Sequence, residues 1–242
     1  MLNKIIDRLK YEIKTVRRLL YHRLYVSPKS EKEVVERFHQ LFYNAHLFGE
    51  TWGKTRWLGV PTLKCPLDMW VYQEILFEER PDLIVECGTA SGGSALYLAS
   101  VCDLIGHGKI LTVDLDEQPD RPGHPRITYL RGSSTSGDIL DQVRAAIRPA
   151  DRVLVILDSD HHQSHVLEEL RLYGPLVSPG SRLIVEDTNL NGHPIDPEFG
   201  PGPMEAVEEF LKTHPEFEVD SSKEKFLMTF NPRGYLKKIG PA

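Results

Sequence analysis

The sequence has few cysteines, no long apolar run and no excess of positive charge. Its three cysteines are an odd number without the spacing of a metal-binding or redox motif, so we expect buried thiols in a reducing compartment. No apolar run reaches the ~18 residues that a membrane-spanning helix needs, and the first segment lacks the uninterrupted apolar centre of a signal peptide. The formal charge of -6 is unlike that of a nucleic-acid binder, which is usually basic. These absences predict a cytoplasmic protein that binds a small molecule and no nucleic acid.

No internal repeat or low-complexity tract interrupts the 242 residues, and we expect a helical extension over residues 1–50 before one large domain over residues 51–242. Residues 1–26 are basic and carry apolar residues at helical spacing, which predicts an amphipathic helix. Such a helix packs on the domain, packs on a second subunit of a homo-oligomer, or makes peripheral contact with an anionic membrane, and the sequence leaves these readings open. Its apolar positions are Leu2, Ile5, Ile6, Leu9, Ile13, Val16, Leu20 and Leu24.

From about residue 80, short apolar runs rich in β-branched residues alternate with helical patterns. This alternation predicts an α/β fold with a doubly wound, mostly parallel, Rossmann-like sheet, whose ligands bind at the carboxyl ends of the strands. The predicted parallel strands are Leu83 to Cys87, Lys109 to Leu115, Ile127 to Arg131, Val153 to Asp158 and Arg182 to Glu186. An antiparallel C-terminal edge is expected from Phe217 to Asp220, Phe226 to Asn231 and Tyr235 to Ile239, with a turn between the last two runs.

A glycine-rich turn follows the first of these strands and runs from Glu86 to Ser94 into a helix. Glycines there permit close approach of a ligand, and the free amides at the helix start favour an anionic group. The glycine spacing does not fit the dinucleotide fingerprint, and Glu86 would repel a pyrophosphate but attract an ammonium group. We therefore predict S-adenosylmethionine as the cofactor. The predicted contacts are Glu86, Gly88, Thr89, Ser91, Gly92, Ser94, Asp114, Ser133, Ser134 and Asp158.

Among these contacts, Asp114 ends the second strand, where an acidic residue binds the ribose hydroxyls in many nucleotide-binding sheets. Ser133 and Ser134 follow the third strand and either face the adenine or form a plain loop.

An acidic cluster is expected where the fourth and fifth strands end. Gathering carboxylates is costly unless a cation or a shared proton compensates. Helix capping or pairing with arginine is the alternative, but a hard divalent ion accounts better for carboxylates at two strand ends. All-oxygen ligation suits Mg²⁺ or another hard divalent cation, which would hold a substrate hydroxyl and lower its pKa. The predicted metal ligands are Asp158, Glu186 and Asp187, with Asp160 in reserve.

A base is also needed, and His161 is the candidate because a histidine accepts a proton near neutral pH. Asp158 and His161 are thus the predicted catalytic residues. The neighbouring His162 is the alternative candidate for the base. His165 is expected on a helix surface and His193 in a loop.

Several strings of residues resemble a known family, the bacterial methyltransferases grouped as cephalosporin hydroxylase-type proteins and rhamnosyl O-methyltransferases. The strings are Asp68 to Leu76, Glu86 to Ser94, Leu157 to His161, Glu186 to Pro194 and Phe199 to Pro203. The resemblance implies a class I methyltransferase domain, a divalent cation after the fourth and fifth strands, and methylation of a sugar hydroxyl, on a small molecule or a glycolipid. It is looser over Ile195 to Glu198 and over the first helix, where acceptor selection is plausible.

Two other classes of function stay open. An oxidoreductase of the cephalosporin hydroxylase type would need dinucleotide binding or an iron site with two histidines and one carboxylate, and neither pattern is evident. A non-catalytic binding module would have no need of the acidic cluster. The segment from Thr188 to Pro203, rich in glycine and proline, is expected to cover the acceptor as a lid.

Overall fold

A seven-stranded sheet forms the centre of the structure, a computed structural model that describes residues 2–25 and 28–240. Its strands are β3 (Leu83–Cys87), β4 (Lys109–Asp114), β5 (Ile127–Arg131), β6 (Val153–Leu157), β7 (Arg182–Val185), β8 (Phe217–Val219) and β9 (Tyr235–Lys238), and β1 (Arg56–Trp57) and β2 (Val60–Pro61) pair in a separate hairpin. The strand order in the sheet is β5-β4-β3-β6-β7-β9-β8, parallel from β5 to β7 and antiparallel at β9 and β8. The predicted α/β, doubly wound sheet is therefore confirmed.

Helices cover both faces of this sheet, because side chains alternate along each strand. One core joins Val85, Val155 and their neighbours to α5, α6 and α7, and a second joins Ile84, Ile156 and their neighbours to α3 and α4. The helices are α1 (Leu2–Tyr25), α2 (Pro28–Asn44), α3 (Pro66–Glu79), α4 (Gly93–Ile105), α5 (Gly137–Ala146), α6 (Gln163–Tyr173) and α7 (Pro203–Leu211). Within the described residues, no helix is both long and apolar enough to cross a membrane. The three cysteines are free and buried, as expected.

The predicted strand from Phe226 to Asn231 is wrong. A short 3-10 helix, Ser221–Glu224, precedes this segment, and Leu227 has a left-handed backbone with φ 68°. The backbone groups of Phe230 form hydrogen bonds with residues that are not in a neighbouring strand. Its N–H donates to the buried Asp68 carboxylate, and its carbonyl accepts from the backbone N–H of Asn189. β9 therefore pairs with β8 and β7 instead.

The N-terminal extension forms two helices with different surroundings. The side chains from 4 to 20 on α1 are all exposed, whereas α2 packs His39, Phe42 and Tyr43 around Phe230. Met1 and Val26, which bound the predicted first segment, and Ala242 lie outside the described residues. The domain boundary at residue 50 stays a prediction.

Candidate active site

The glycine-rich turn brings the ends of β3 and β6 into direct contact. Gly88 has φ 97°, and a Cβ atom at this position would lie 1.8 Å from the backbone oxygen of Asp158. At Gly93, where α4 begins, a Cβ atom would lie 2.1 Å from the carbonyl oxygen of Pro61. Glycine is therefore required by close approach of backbone to backbone, independently of any ligand.

Replacing Gly88 by alanine is expected to lower the free energy of unfolding by at least about 2 kcal/mol, because it adds a backbone clash to an unfavourable φ. Gly106→Ala is the matched control, since Gly106 has φ 72° and a Cβ atom added there would meet nothing within 4 Å, and it should cost only about 1 kcal/mol. Urea unfolding of both variants measures the difference. Equal losses would show that the contact with Asp158 contributes nothing.

Glu86 lies inside β3 and is completely buried. Its Oε2 accepts a hydrogen bond from Thr112 Oγ1 at 2.6 Å, while its Oε1 has no partner among the described residues. Burial raises the pKa of the carboxyl group, although the Lys64 ammonium opposes the rise. A buried oxygen without a donor indicates a place for a ligand N–H, which agrees with the ammonium contact expected from the sequence.

Asp114 supports the turn from the next strand. Its Oδ2 accepts from the backbone N–H groups of Thr89 and Ala90 at 3.0 and 2.7 Å and lies 3.2 Å from Arg121 Nη2. Arg121 also donates from Nε to the Ala90 carbonyl, which folds its loop over Gly92. The carboxylate is thus already bonded to the turn, and contact with ribose stays a prediction.

A cavity of about 580 Å³ lies along the carboxyl ends of β3, β4, β5 and β6. Five of the predicted cofactor contacts line it, whereas the other five, Glu86, Thr89, Ser91, Gly92 and Ser94, do not. The residues lining it are Gly88, Ala90, Val113, Asp114, Leu115, Asp116, Gly132, Ser133, Ser134, Asp158, Ser159, Asp160 and His165. Its position matches that expected for a nucleotide-like ligand.

His165, expected on a helix surface, lies in the wall of this cavity. Its Nε2 lies 3.3 Å from Ser134 Oγ and 3.4 Å from the buried Glu169 Oε1, whose hydrogen bond raises the pKa of His165. His165 is thus on α6, as expected, but its partly exposed side chain faces the cavity. His193 lies in a loop, as expected.

The acidic cluster contains a lysine that the sequence did not reveal. The Lys64 ammonium is 7% exposed, lies 2.5 Å from Asp158 Oδ2 and also pairs with Glu186 Oε1. Burial opposes its charge, but Asp158 and Glu186 outweigh this effect and raise the pKa of Lys64. Burial and the nearby Asp158 in turn raise the pKa of Glu186 to about 7. One internal cation thus compensates part of the negative charge.

Hydrogen bonds from Tyr72 on α3 and from Asn231 also hold the acidic cluster in place. Tyr72 donates from its hydroxyl to Glu186 Oε1 at 2.8 Å, and Asn231 Nδ2 donates to the Tyr72 hydroxyl at 3.1 Å. The Asn231 side-chain oxygen accepts from the backbone N–H of Asp187 at 3.1 Å. These contacts fix the chain at Glu186 and Asp187. Tyr72 falls in one of the strings that carried the family resemblance, but nothing marked its role.

Asp158, His161 and Asp187 converge closely enough to bind a metal ion. Their ligand atoms all lie within 4.8 Å of one another, and His161 Nε2 is 3.3 Å from Asp187 Oδ2. Glu186 lies beside them but is held by Lys64 and Tyr72. The two carboxylates suit a hard divalent cation such as Mg²⁺ or Mn²⁺ and so fit the predicted metal, and the imidazole of His161, the predicted base, lies beside them.

Asp160, the reserve ligand, is directed along its own loop. Its Oδ1 accepts from the backbone N–H of His162 at 2.8 Å and from His162 Nδ1 at 2.6 Å. The His162 ring stacks on Phe199, with ring centroids 5.4 Å apart. Asp160 and His162 therefore form a pair of their own, outside the group of three that converges on a metal position.

The segment from Thr188 to Pro203 is anchored on two sides. Glu205 on α7 accepts from His193 Nε2 at 2.8 Å, from Asn191 Nδ2 at 3.0 Å and from the Gly202 N–H at 2.7 Å. On the other side, Gln40 of α2 donates to the Pro194 carbonyl at 3.1 Å. The segment thus has a defined path beside the acidic cluster.

α2 also supplies two side chains close to this edge. Burial lowers the pKa of His39 to about 4, so its neutral Nε2 accepts from Asn189 Nδ2 at 2.9 Å. Burial, and then the charges of Asp187 and Asp196, raise the pKa of the Tyr43 hydroxyl. α2 is therefore part of the site's surroundings.

Comparison with known proteins identifies relatives over most of this architecture. The family model described as Rhamnosyl O-methyltransferase/CmcI matches residues 49–239. A rhamnosyl O-methyltransferase of Mycobacterium leprae is 40% identical over 209 residues, covering 84% of this chain and 90% of the relative. One from Mycobacterium tuberculosis is 41% identical over 210 residues, covering 84% of each chain.

The fold has the same kind of relatives among solved structures. A structure of CmcI with Mg and S-adenosylmethionine has a TM-score of 0.61 at 21% identity, over 77% of each chain. A putative caffeoyl-CoA O-methyltransferase from Staphylococcus aureus has a TM-score of 0.51 at 16% identity, over 85% of this chain and 92% of its own. The fold is thus that of O-methyltransferases.

Proposed function

Because the chain belongs to the rhamnosyl O-methyltransferase/CmcI family, we propose that it transfers a methyl group from S-adenosylmethionine to a sugar hydroxyl with the help of Mg²⁺ or a similar divalent cation. The family resemblance and the O-methyltransferase class predicted from the sequence are confirmed. The hydroxylase alternative finds no support, since the converging group among the described residues has one histidine and two carboxylates.

The position of Asp158 is the observation that carries this proposal. Asp158 lines the cavity for the predicted cofactor and also belongs to the group that converges on a metal position. A methyl donor in the cavity and a hydroxyl beside the cation would therefore be neighbours. Such proximity is the main requirement for methyl transfer, for which alignment supplies effective molarities of about 10⁵ M or more.

Each group in the cluster has a defined role in this proposal. When bound, the cation holds the acceptor oxygen and lowers its pKa, while S-adenosylmethionine supplies an electrophilic methyl group. Asp158 and Asp187 hold the cation, with Glu186 beside them. His161 accepts the proton of the acceptor hydroxyl, and the Asp187 carboxylate 3.3 Å from its Nε2 stabilises the resulting imidazolium.

The acceptor is a rhamnosyl or similar deoxysugar on a small molecule or a glycolipid, in keeping with the names of the curated relatives. We propose that the segment from Thr188 to Pro203 covers it. We also propose that the chain forms a homo-oligomer. Peripheral membrane contact through residues 1–26, of which Met1 and Val26 lie outside the described residues, is the competing role for the first helix.

Calorimetry and a methyl-transfer assay test the proposed function. S-adenosylmethionine is expected to bind the full chain, and p-nitrophenyl α-L-rhamnoside with Mg²⁺ is expected to yield a methylated product that disappears when EDTA is added. NAD⁺ is the matched ligand for the oxidoreductase reading and is expected not to bind. No binding of S-adenosylmethionine, or turnover that is indifferent to EDTA, would contradict the proposal.

A further inference from the structure

The first helix, α1, presents an uncovered apolar stripe. Its described side chains from 4 to 20 are all exposed, and five aliphatic residues on one face are between 39% and 60% exposed. These residues are Ile6, Leu9, Ile13, Val16 and Leu20. A helix of this composition gains most of its stability from burial of its apolar face, so we expect another surface to cover the stripe.

The spacing of the stripe is that of a coiled coil. Its members alternate three and four residues apart, which places Ile6, Ile13 and Leu20 at the first position of successive heptads and Leu9 and Val16 at the fourth. β-branched residues at the first position with leucine at the fourth favour two parallel strands. Ile6 with Leu9 follows this rule, whereas Val16 at a fourth position and Leu20 at a first position depart from it. The stripe is a narrow seam.

We propose that α1 pairs with α1 of a second copy of this chain as a parallel, two-stranded coiled coil. The residues flanking the seam select the orientation. Parallel pairing sets Glu12 on one helix against Arg17 on the other, an opposite-charge contact that forms twice in the dimer. Antiparallel pairing sets Lys10 against Arg17, and these like charges repel.

A membrane surface is the alternative partner for the stripe. Substitutions of the neighbouring residues Arg17 and Arg18 distinguish a membrane from a second copy of the chain. Arg17 flanks the seam, whereas Arg18 lies on the opposite side of the helix. An anionic lipid surface attracts both guanidinium groups by long-range charge, although Arg18, on the far side of the helix, is about 10 Å farther from it and contributes less. A coiled coil depends on Arg17 alone. The stripe itself is purely aliphatic, without the Trp or Phe that often marks interfacial helices.

Sedimentation equilibrium of the full chain tests the charge pattern. Arg17→Glu is expected to weaken the dimer about tenfold, Arg18→Glu to leave it unchanged within about twofold, and the exchange Glu12→Arg with Arg17→Glu to restore it. Leu9→Asp is expected to give monomers, and because the side chains of α1 from 4 to 20 are exposed in a single copy, thermal unfolding of the central sheet and the helices packed on it should match the wild type. A monomeric wild type, or equal effects of the two arginine variants, would overturn the proposal.

Cross-linking tests whether the two α1 helices are parallel, and its result does not depend on other contacts between the copies. Ile6→Cys is expected to form an intermolecular disulfide on mild oxidation, whereas Tyr11→Cys, on the outer side of the helix, is not. The native cysteines are buried and should not compete. A disulfide between Ile6→Cys and Leu20→Cys in a mixed sample would indicate antiparallel helices and refute the proposed pairing. Binding of the wild type to phosphatidylglycerol vesicles, reduced by both Arg17→Glu and Arg18→Glu, would assign the stripe to a membrane.

Discussion

Replacing Asp158 by asparagine is expected to weaken Mg²⁺ binding by more than about 100-fold, since even residues that only support a metal ligand change affinity by about 10- to 100-fold. Turnover of the rhamnoside should fall with it, because Asp158 stands between the cofactor cavity and the cation. S-adenosylmethionine should still bind within about tenfold of the wild type, as the turn and Glu86 are unchanged. Titration calorimetry with each ligand separates the two effects.

Asp160→Asn is the matched comparison for this experiment. Its carboxylate is bonded to His162 rather than directed at Asp187, so Mg²⁺ affinity should change by less than about threefold. The sequence alone did not decide which of the two aspartates is the main ligand. A larger loss in Asp160→Asn than in Asp158→Asn would reverse the assignment and place the cation nearer His162.

Lys64→Met is expected to lower the free energy of unfolding by about 3 kcal/mol in the absence of divalent cations, because it removes one partner of a buried ion pair and leaves the others uncompensated. Asp158 and Glu186 would then face each other without the ammonium that pairs with both. Addition of Mg²⁺ should recover more of the melting temperature in this variant than in the wild type, since the cation replaces part of the missing charge. Calorimetric melts with EDTA or with Mg²⁺ measure this directly.

Lys225→Met provides the control for Lys64→Met. Lys225 also pairs with a carboxylate, that of Glu74, but its side chain is 40% exposed. An exposed ion pair contributes about 1 kcal/mol or less, so the melting temperature should change little and should not respond to Mg²⁺. If the two variants behaved alike, the burial of Lys64 would have no energetic consequence and its role as internal counter-cation would be wrong.

The sequence was most informative where function depends on consecutive residues. The strand, turn and helix around Glu86 to Ser94 follow from local patterns, and the placement of Asp158 and Asp187 at one sheet edge follows from the rule that parallel strands end together. Both features need only short-range information. The segment from Phe226 to Asn231 has a strand-like composition, but its backbone is bonded by Asp68, far away in the sequence.

Long-range contacts explain most of what the sequence did not reveal. Lys64 follows a short hairpin and precedes α3, with no periodic pattern to mark its ammonium as a partner of Asp158, 94 residues away. The bond from Tyr72 to Glu186 spans 114 residues, and that from Asn231 to Tyr72 spans 159. Such contacts depend on how α3 and the C-terminal loop pack, which local patterns do not specify.

The contact between Gly88 and the backbone of Asp158 limits how this enzyme can be redesigned. With no space for even a methyl group between the two strand ends, a turn taken from another methyltransferase would fit only if it kept glycine at position 88 or if the end of β6 were exchanged as well. Changes to the turn and to the residues beside Asp158 are therefore coupled. Libraries aimed at new methyl donors should randomise the two strand ends as one unit, whereas the segment that we propose covers the acceptor, from Thr188 to Pro203, can be varied separately.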